Sequence, residues 1–403
     1  MNQAMASAPS PMHLAGETGD AALELAPSSF HCLCRFFAPS LAARREGRGL
    51  RDIDRRFPVR GHRPLLADEE EALLTKPRMD RIGIVGTGSR LPSRVMSNAD
   101  VADVLGVERR WIQTRTGIRE RRFAGAGEGT AALAAGATMA AVEAAGLTAA
   151  DVDTVIVATS TPDRPIPPVA TRVQELTGAG GALSFDVNAA CAGFLYGLAV
   201  AGSLLAADDQ RRYAVVVGSD TYSRLLNPAD RQTYAIFGDG AGAVVLGRVD
   251  DDCGLLHTRL NTDGSLGDIA VGGPQLPISV EQIEEGAHFA SMRGHRVAEV
   301  VRTQFPMMIK EVVAQHGISV ERIDHLVCHQ ANPRLIQECA TAAGFTPRQL
   351  VMTGDVVGNT ASASIPIGLA AAAREGRLRR GDTILMVSFG AGMTWGWSLL
   401  RWA

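Results

Sequence analysis

From residue 80 onward the chain alternates two kinds of apolar pattern. Short runs rich in β-branched residues recur: RIGIVGTGS beginning at Arg81, VDTVIVATS (152–160), RYAVVVGSD (212–220), GAVVLGRV (242–249), IDHLVCH (323–329) and DTILMVSFG (382–390). These read as buried strands. Longer segments lie between them, such as GTAALAAGATMAAVEAAG (129–146), with helical spacing. Buried strands alternating with helices predict an α/β architecture.

The pattern repeats. AAGLTAADVDTVIVATS begins at Ala144 and QHGISVERIDHLVCHQA at Gln315; Gly146/Gly317, Leu147/Ile318, Thr148/Ser319, Val152/Ile323 and Asp153/Asp324 correspond. A second echo sets FGDGAGAVVLG (237–247) against FGAGMTWGWSL (389–399). Two echoes in the same order predict two related halves, 79–250 and 251–403, with a site at their junction. Residues 1–78 show neither period. They are rich in Ala, Pro and Ser, then in arginine (RREGRGLRDIDRRFPVRGHR, 44–63), then acidic. The expectation is a disordered or loosely ordered extension that the rest can do without. A start codon assigned too early would look the same, because Met79 opens the first strand-like run.

Composition narrows the classes. The chain has 403 residues, 46% hydrophobic and 21% charged, with a formal net charge of −3. That balance describes a globular protein with no strong global pull toward nucleic acid or an anionic membrane. No run of about 18 apolar residues is read in the chain, so no transmembrane helix is expected, and the N-terminus lacks the basic and apolar regions of a signal peptide. The six cysteines, at 32, 34, 191, 253, 328 and 339, make no paired framework and no four-ligand metal pattern. This suits a reducing, cytoplasmic setting with no metal.

Three residues stand out. Cys191, in DVNAACAGF, sits among small neighbours just before the helix-like run LYGLAVAGSLLA. A helix N-terminus lowers a thiol pKa and small neighbours admit a substrate, so Cys191 is a candidate nucleophile rather than a buried small hydrophobe. His329, in LVCHQAN, ends a strand-like run, where α/β enzymes gather their ligands. Asn359, in VVGNTASASIPIGLA, is either a helix cap or an amide donor for a developing oxyanion or enolate. Of two glycine clusters, GIVGTGSRLP (83–92) lacks the third glycine of a dinucleotide fingerprint and is interrupted by Pro92. FGAGMTWG (389–396) reads as a strand ending in a tight turn whose N–H groups can face a site.

Taken together, GTGSRLP, WIQTRTGIRERR, AACAGF, FGDGAGAVVL, HQAN, GNTASASIP and FGAGMTWG resemble the β-ketoacyl-acyl carrier protein synthase III family of the thiolase superfamily, over about residues 80–403. The resemblance implies a thiolase-like fold, its two βαβ-type halves packed as a five-layered αβαβα sandwich. It implies Cys191 as the acyl-accepting nucleophile, with His329 and Asn359 assisting malonyl decarboxylation and stabilising the enolate. The backbone N–H groups of Cys191 and Ala391 would form the oxyanion hole. Trp111 and Arg115 resemble the residues that sandwich the CoA adenine, with Arg231 a further CoA contact. Asn332 would line the pantetheine tunnel, and Arg334 would dock the carrier protein. The implied partners are acyl-CoA, malonyl-acyl carrier protein and a second copy of the chain; no separate cofactor is implied, since the CoA thioester is a substrate.

Two positions depart from the family. Val107 stands where threonine is common near the adenine. Ile166 stands where acetyl-selective members carry a phenylalanine bordering the acyl pocket, so acyl groups longer or more branched than acetyl are expected. The same residue types also suit an acyltransferase acting on a hydroxyl, amine or other nucleophile in secondary metabolism, or a Cys-His-Asn thioester hydrolase. His329 with Asn359 favours condensation, because simple transfer has no enolate to stabilise. The apolar setting of Cys191 argues against water.

Overall fold

The computed structural model describes residues 82–250 and 252–403. The expectations for residues 1–78, including Cys32 and Cys34, lie outside the described residues.

Two sheets organise the chain. The first contains β1 (Ile82–Arg90), β2 (Thr154–Ala158), β3 (Leu183–Val187), β4 (Tyr213–Asp220) and β5 (Gly240–Arg248), in the order β1-β5-β4-β2-β3. The second contains β6 (Gly254–Thr262), β7 (His325–Cys328), β8 (Thr383–Gly390) and β9 (Thr394–Arg401), in the order β6-β9-β8-β7. In the first sheet β1 and β5 are antiparallel, as are β5 and β4, while β4 and β2 are parallel. The second repeats that pattern with β6, β9, β8 and β7, and only β3 has no counterpart. The sequence repeat around Gly146 and Gly317 leads into β2 and β7, the matching strands. The second echo matches only in its later part, where β5 and β9 correspond. Phe389 lies within β8, whereas Phe237 lies in a loop.

Helices fill three layers around the sheets. They are α2 (Thr130–Ala144), α3 (Val169–Thr177), α4 (Gly193–Ala207), α5 (Gly294–His316), α6 (Pro333–Ala342) and α7 (Ser364–Arg374), while α1 (Arg109–Thr116) packs outside the layers, with Ile112 in a cluster with Tyr222 and Phe237. Successive strand residues face opposite ways, so each sheet offers two apolar faces. Ile156, Val216 and Val244 face inward with Val327, Ile384 and Met386 of the second sheet, and Leu198 of α4 and Leu369 of α7 pack between them. Val155, Val215 and Val245 face outward onto α2 and α3. Leu326, Leu385 and Leu399 face outward onto α5 and α6. The result is the five-layered thiolase-like sandwich.

One expectation is corrected. The stretch Ala190–Ala207 is long and apolar enough to cross a membrane. It is apolar because α4 lies in the central layer, with Phe194, Leu195, Leu198, Ala201 and Leu205 buried between the sheets. Strands β3, β6 and β9 were not anticipated as separate strands, since their runs are short, mixed with polar residues, or broken by glycine.

Candidate active site

Cys191 lies between β3 and α4. The turn that presents it is held in an uncommon conformation: Ala190 has φ +47°, and its N–H donates to Asn188 Oδ1 at 3.1 Å. Ser388 Oγ, on β8, donates to the Cys191 carbonyl at 2.9 Å. A side chain at Gly390 would meet the Ala189 carbonyl at 2.6 Å, so the end of β8 can press against this turn only as glycine.

His329 follows β7, and its N–H extends the strand pairing by donating to the Val387 carbonyl at 2.8 Å. The next side chain fixes the loop: Gln330 Nε2 donates to the Val351 carbonyl at 2.9 Å, and its Oε1 accepts from the N–H groups of Thr353 (3.1 Å) and Gly354 (2.8 Å). Asn359 is clamped by its backbone. Its N–H donates to the Ile236 carbonyl at 2.8 Å, and its carbonyl accepts from the Gly238 N–H at 3.0 Å. Its Oδ1 accepts from the Ala361 N–H at 3.0 Å, so the amide orientation is set and Nδ2 has no acceptor among the described residues. The capping alternative is therefore half right. The Asn359 oxygen does cap a short turn, and that leaves the nitrogen available.

Cys191, His329, Asn359 and Ala391 come together in one cavity of about 350 Å³. Trp111, Arg115, Arg231 and Asn332 line it too. Arg231, rather than Arg115, faces the indole: its guanidinium lies 5.8 Å from the Trp111 ring centroid. Asn332 caps α6, accepting from Leu335 N–H at 3.1 Å, while its Nδ2 donates to the Arg115 carbonyl at 3.2 Å. One residue expected at the acyl pocket is not brought into the cavity, and the expected docking residue lies outside it. Ile166 is 83% exposed and does not border it in the single chain. Arg334 lies on the adjoining surface, where it donates to the Thr114 carbonyl at 2.6 Å and pairs with Glu338 at 3.0 Å.

The sequence reading missed Tyr222 and Phe237, which line the cavity and stack at 4.4 Å between centroids. Nothing in their local pattern separates them from ordinary core aromatics. It also missed Asp220, a fully buried carboxylate at the end of β4.

The electrostatics correct one expectation. Burial pushes the Cys191 thiol well above its ordinary range, and the Asp220 charge adds to the rise. The helix start does not leave a resting thiolate, because desolvation of the anion outweighs it here. Burial lowers His329 to about 4, with the Ala361 backbone only partly opposing it, so the imidazole is neutral near pH 7. The cavity thus holds a protonated thiol beside two neutral N–H donors. Among the described residues, no three of His, Cys, Asp or Glu converge as metal ligands.

This fold and this cavity define a thiolase-fold condensing enzyme built around a cysteine. The family models for 3-oxoacyl-(acyl-carrier-protein) synthase III match residues 185–264, and residues 313–402 for its C-terminal part. The β-ketoacyl-(acyl-carrier-protein) synthase III of Roseiflexus castenholzii is 43% identical over 328 residues, covering 79% of this chain and 98% of that one. The acetoacetyl CoA synthase NphT7 of Streptomyces sp. (strain CL190) is 41% identical over 328 residues, covering 80% and 99%. Among solved structures, 3-oxoacyl-(acyl carrier protein) synthase III from Pseudomonas aeruginosa PAO1 superposes with a TM-score of 0.74 at 41% identity, covering 80% and 98%. The chain belongs to the β-ketoacyl-acyl carrier protein synthase III family.

Proposed function

We propose that the chain carries an acyl group from CoA on Cys191 and condenses it with malonyl-acyl carrier protein. The observation that supports this most is the convergence of Cys191, His329 and Asn359 on one cavity, with both donors neutral. In the first half-reaction Cys191 Sγ attacks the thioester carbonyl, and CoA leaves with the thiol proton. One thioester replaces another, so little free energy changes. The backbone N–H groups of Cys191 and Ala391 serve the tetrahedral oxyanion.

In the second half-reaction the malonyl carboxylate leaves as CO₂, and its electron pair passes to the thioester oxygen. The His329 ring and Asn359 Nδ2 donate to that enolate oxygen. The enolate carbon then attacks the acyl carbonyl, and the Cys191 sulfur departs and regains a proton. The broader class is acyl transfer; the condensation forms a carbon–carbon bond.

CoA recognition falls to Trp111 with Arg231. Adenine stacks on an indole or on a guanidinium plane, but their 5.8 Å separation is shorter than the roughly 7 Å that a base sandwiched between them requires. Arg231 therefore shifts outward or the base stacks on one face. Arg115 serves the CoA phosphates, and Arg334 an acidic carrier protein.

A homodimer along β3 fits the same reading. Among the described residues β3 pairs only with β2, Leu183 on it is 41% exposed, and Asp186 on it caps α3 through the N–H groups of Val169 and Ala170. That cap places the exposed Ile166 segment beside the open edge, where a second copy would cover it. Cytoplasmic residence accords with free thiols at Cys191, Cys253, Cys328 and Cys339.

The test is to incubate the protein with a panel of acyl-CoAs and weigh it intact, then add malonyl-acyl carrier protein, malonyl-CoA or neither. An acyl mass on Cys191 and a β-ketoacyl product on the carrier protein are expected. Product on CoA alone would reassign the acceptor, as the name of the Streptomyces relative suggests for that protein. Free acid without condensation would indicate a hydrolase.

A further inference from the structure

Asp220 ends β4, two residues before the cavity-lining Tyr222, and is fully buried. Its Oδ1 accepts from Thr159 Oγ1 (3.2 Å), Ser160 N (2.9 Å), Ser160 Oγ (3.2 Å) and Thr161 Oγ1 (2.9 Å). Its Oδ2 accepts from the Ser362 N–H at 3.0 Å and from Ser362 Oγ. Two of these partners are backbone N–H groups and the others are hydroxyls, and no cation pairs with the carboxyl among the described residues. So many hydrogen-bond partners on one carboxyl are more than the strand end needs for its own satisfaction.

The Ser362 arm reaches the active site. Asn359, Ala361 and Ser362 form one tight turn. Ala361 has φ +47°, a region that non-glycine residues seldom occupy, and in that conformation its N–H meets Asn359 Oδ1. Ser362 anchors the turn on the far side through Asp220 and through the Ala158 carbonyl at 2.8 Å. The turn also rides directly on β4: a side chain at Gly218 would meet the Ser362 carbonyl at 2.3 Å. Cys191 packs against the same cluster as Ala361 and Tyr222, and the Tyr222 hydroxyl lies 2.9 Å from Ser160 Oγ.

We propose that Asp220 is a positioning residue: through Ser362 it holds the strained turn that aims the Asn359 amide. The proposal rests on the role of Asn359 given above. Thr159, Ser160 and Thr161 hold the other oxygen of the same carboxyl, so the group cannot swing away from Ser362.

The test uses the full chain and the variants Asp220→Asn and Ser362→Ala, with the two half-reactions timed separately. Each variant should slow malonyl decarboxylation tenfold or more while acylation of Cys191 changes less than about threefold. Equal losses in both half-reactions for Ser362→Ala, or no loss of decarboxylation, overturn the proposal. If Asp220→Asn does not fold, Ser362→Ala decides. A parent protein that never decarboxylates malonyl thioester instead overturns the assignment of Asn359.

Discussion

Ser388 Oγ donates to the carbonyl of Cys191 at 2.9 Å, joining the thiol-bearing turn after β3 to β8, an inner strand of the second sheet. The two residues are far apart in sequence and belong to different halves, so the geometry at Cys191 exists only when both halves are packed. Ser388 is fully buried. Ser388→Ala leaves the Cys191 carbonyl without its side-chain donor, which costs about 1–3 kcal/mol. The expected outcome is a lower urea midpoint at unchanged m-value, with acylation slowed more than CoA binding. An unaltered midpoint would show that the bond contributes nothing net.

The depressed pKa of His329 gives two pH predictions. Its pKa is about 4 in the folded chain against 6.5 for an ordinary histidine, so the imidazole stays a neutral donor down to the acid range. Decarboxylation should therefore hold steady from pH 8 to about 5.5. A fall centred near pH 6.5 would contradict the assignment.

For stability the sign follows from where the proton binds first. The unfolded chain takes up the His329 proton below about pH 6.5 and the folded chain only near 4, so acid favours unfolding through that window. The contribution is fully present above pH 6.5 and is lost as the pH falls toward 4. His329→Gln lacks it, so the stability difference between parent and variant should shift by about 3 kcal/mol against the parent between pH 7 and pH 4. Denaturant titrations at both pH values measure it.

Arg334 is exposed, and its pairing with Glu338 is a surface contact, so Arg334→Ala should leave the melting temperature within about a degree. Its effect should appear as a raised KM for malonyl-acyl carrier protein with kcat preserved, more marked at low salt than at high. An unchanged KM for the carrier protein would remove Arg334 from the docking surface.

Trp111→Ala and Arg231→Ala each remove one member of the pair at 5.8 Å. Loss of a stacking partner costs about 1–3 kcal/mol, so KM for acyl-CoA should rise roughly tenfold or more in each. The double variant should cost less than the sum, because the two share one ligand face. The decisive comparison is an acyl-pantetheine substrate without the adenine, for which both single variants should behave like the parent.

The sequence by itself determined the class of fold and singled out the residues proposed to react. Buried strands announce themselves because both faces must be apolar, and the repeated Gly-turn-strand signal around Gly146 and Gly317 marks the two matching parallel strands. Cys191, His329 and Asn359 were legible because small or polar residues interrupt the apolar pattern just where a strand or a helix terminates. What only the tertiary structure decided was how these positions meet and how each is charged. Desolvation is a property of everything packed around a group, so the helix-start argument for Cys191 gave the opposite direction from the one its burial imposes. The Asp220 site could not be read locally, since its donors come from 159–161 and 362. Ile166 reads as an acyl-pocket residue by resemblance, yet in the single chain it is exposed and does not border the cavity, a placement no local pattern reveals. Local pattern fixes which side chains are buried within an element; the path of the chain through space fixes which of them share a site.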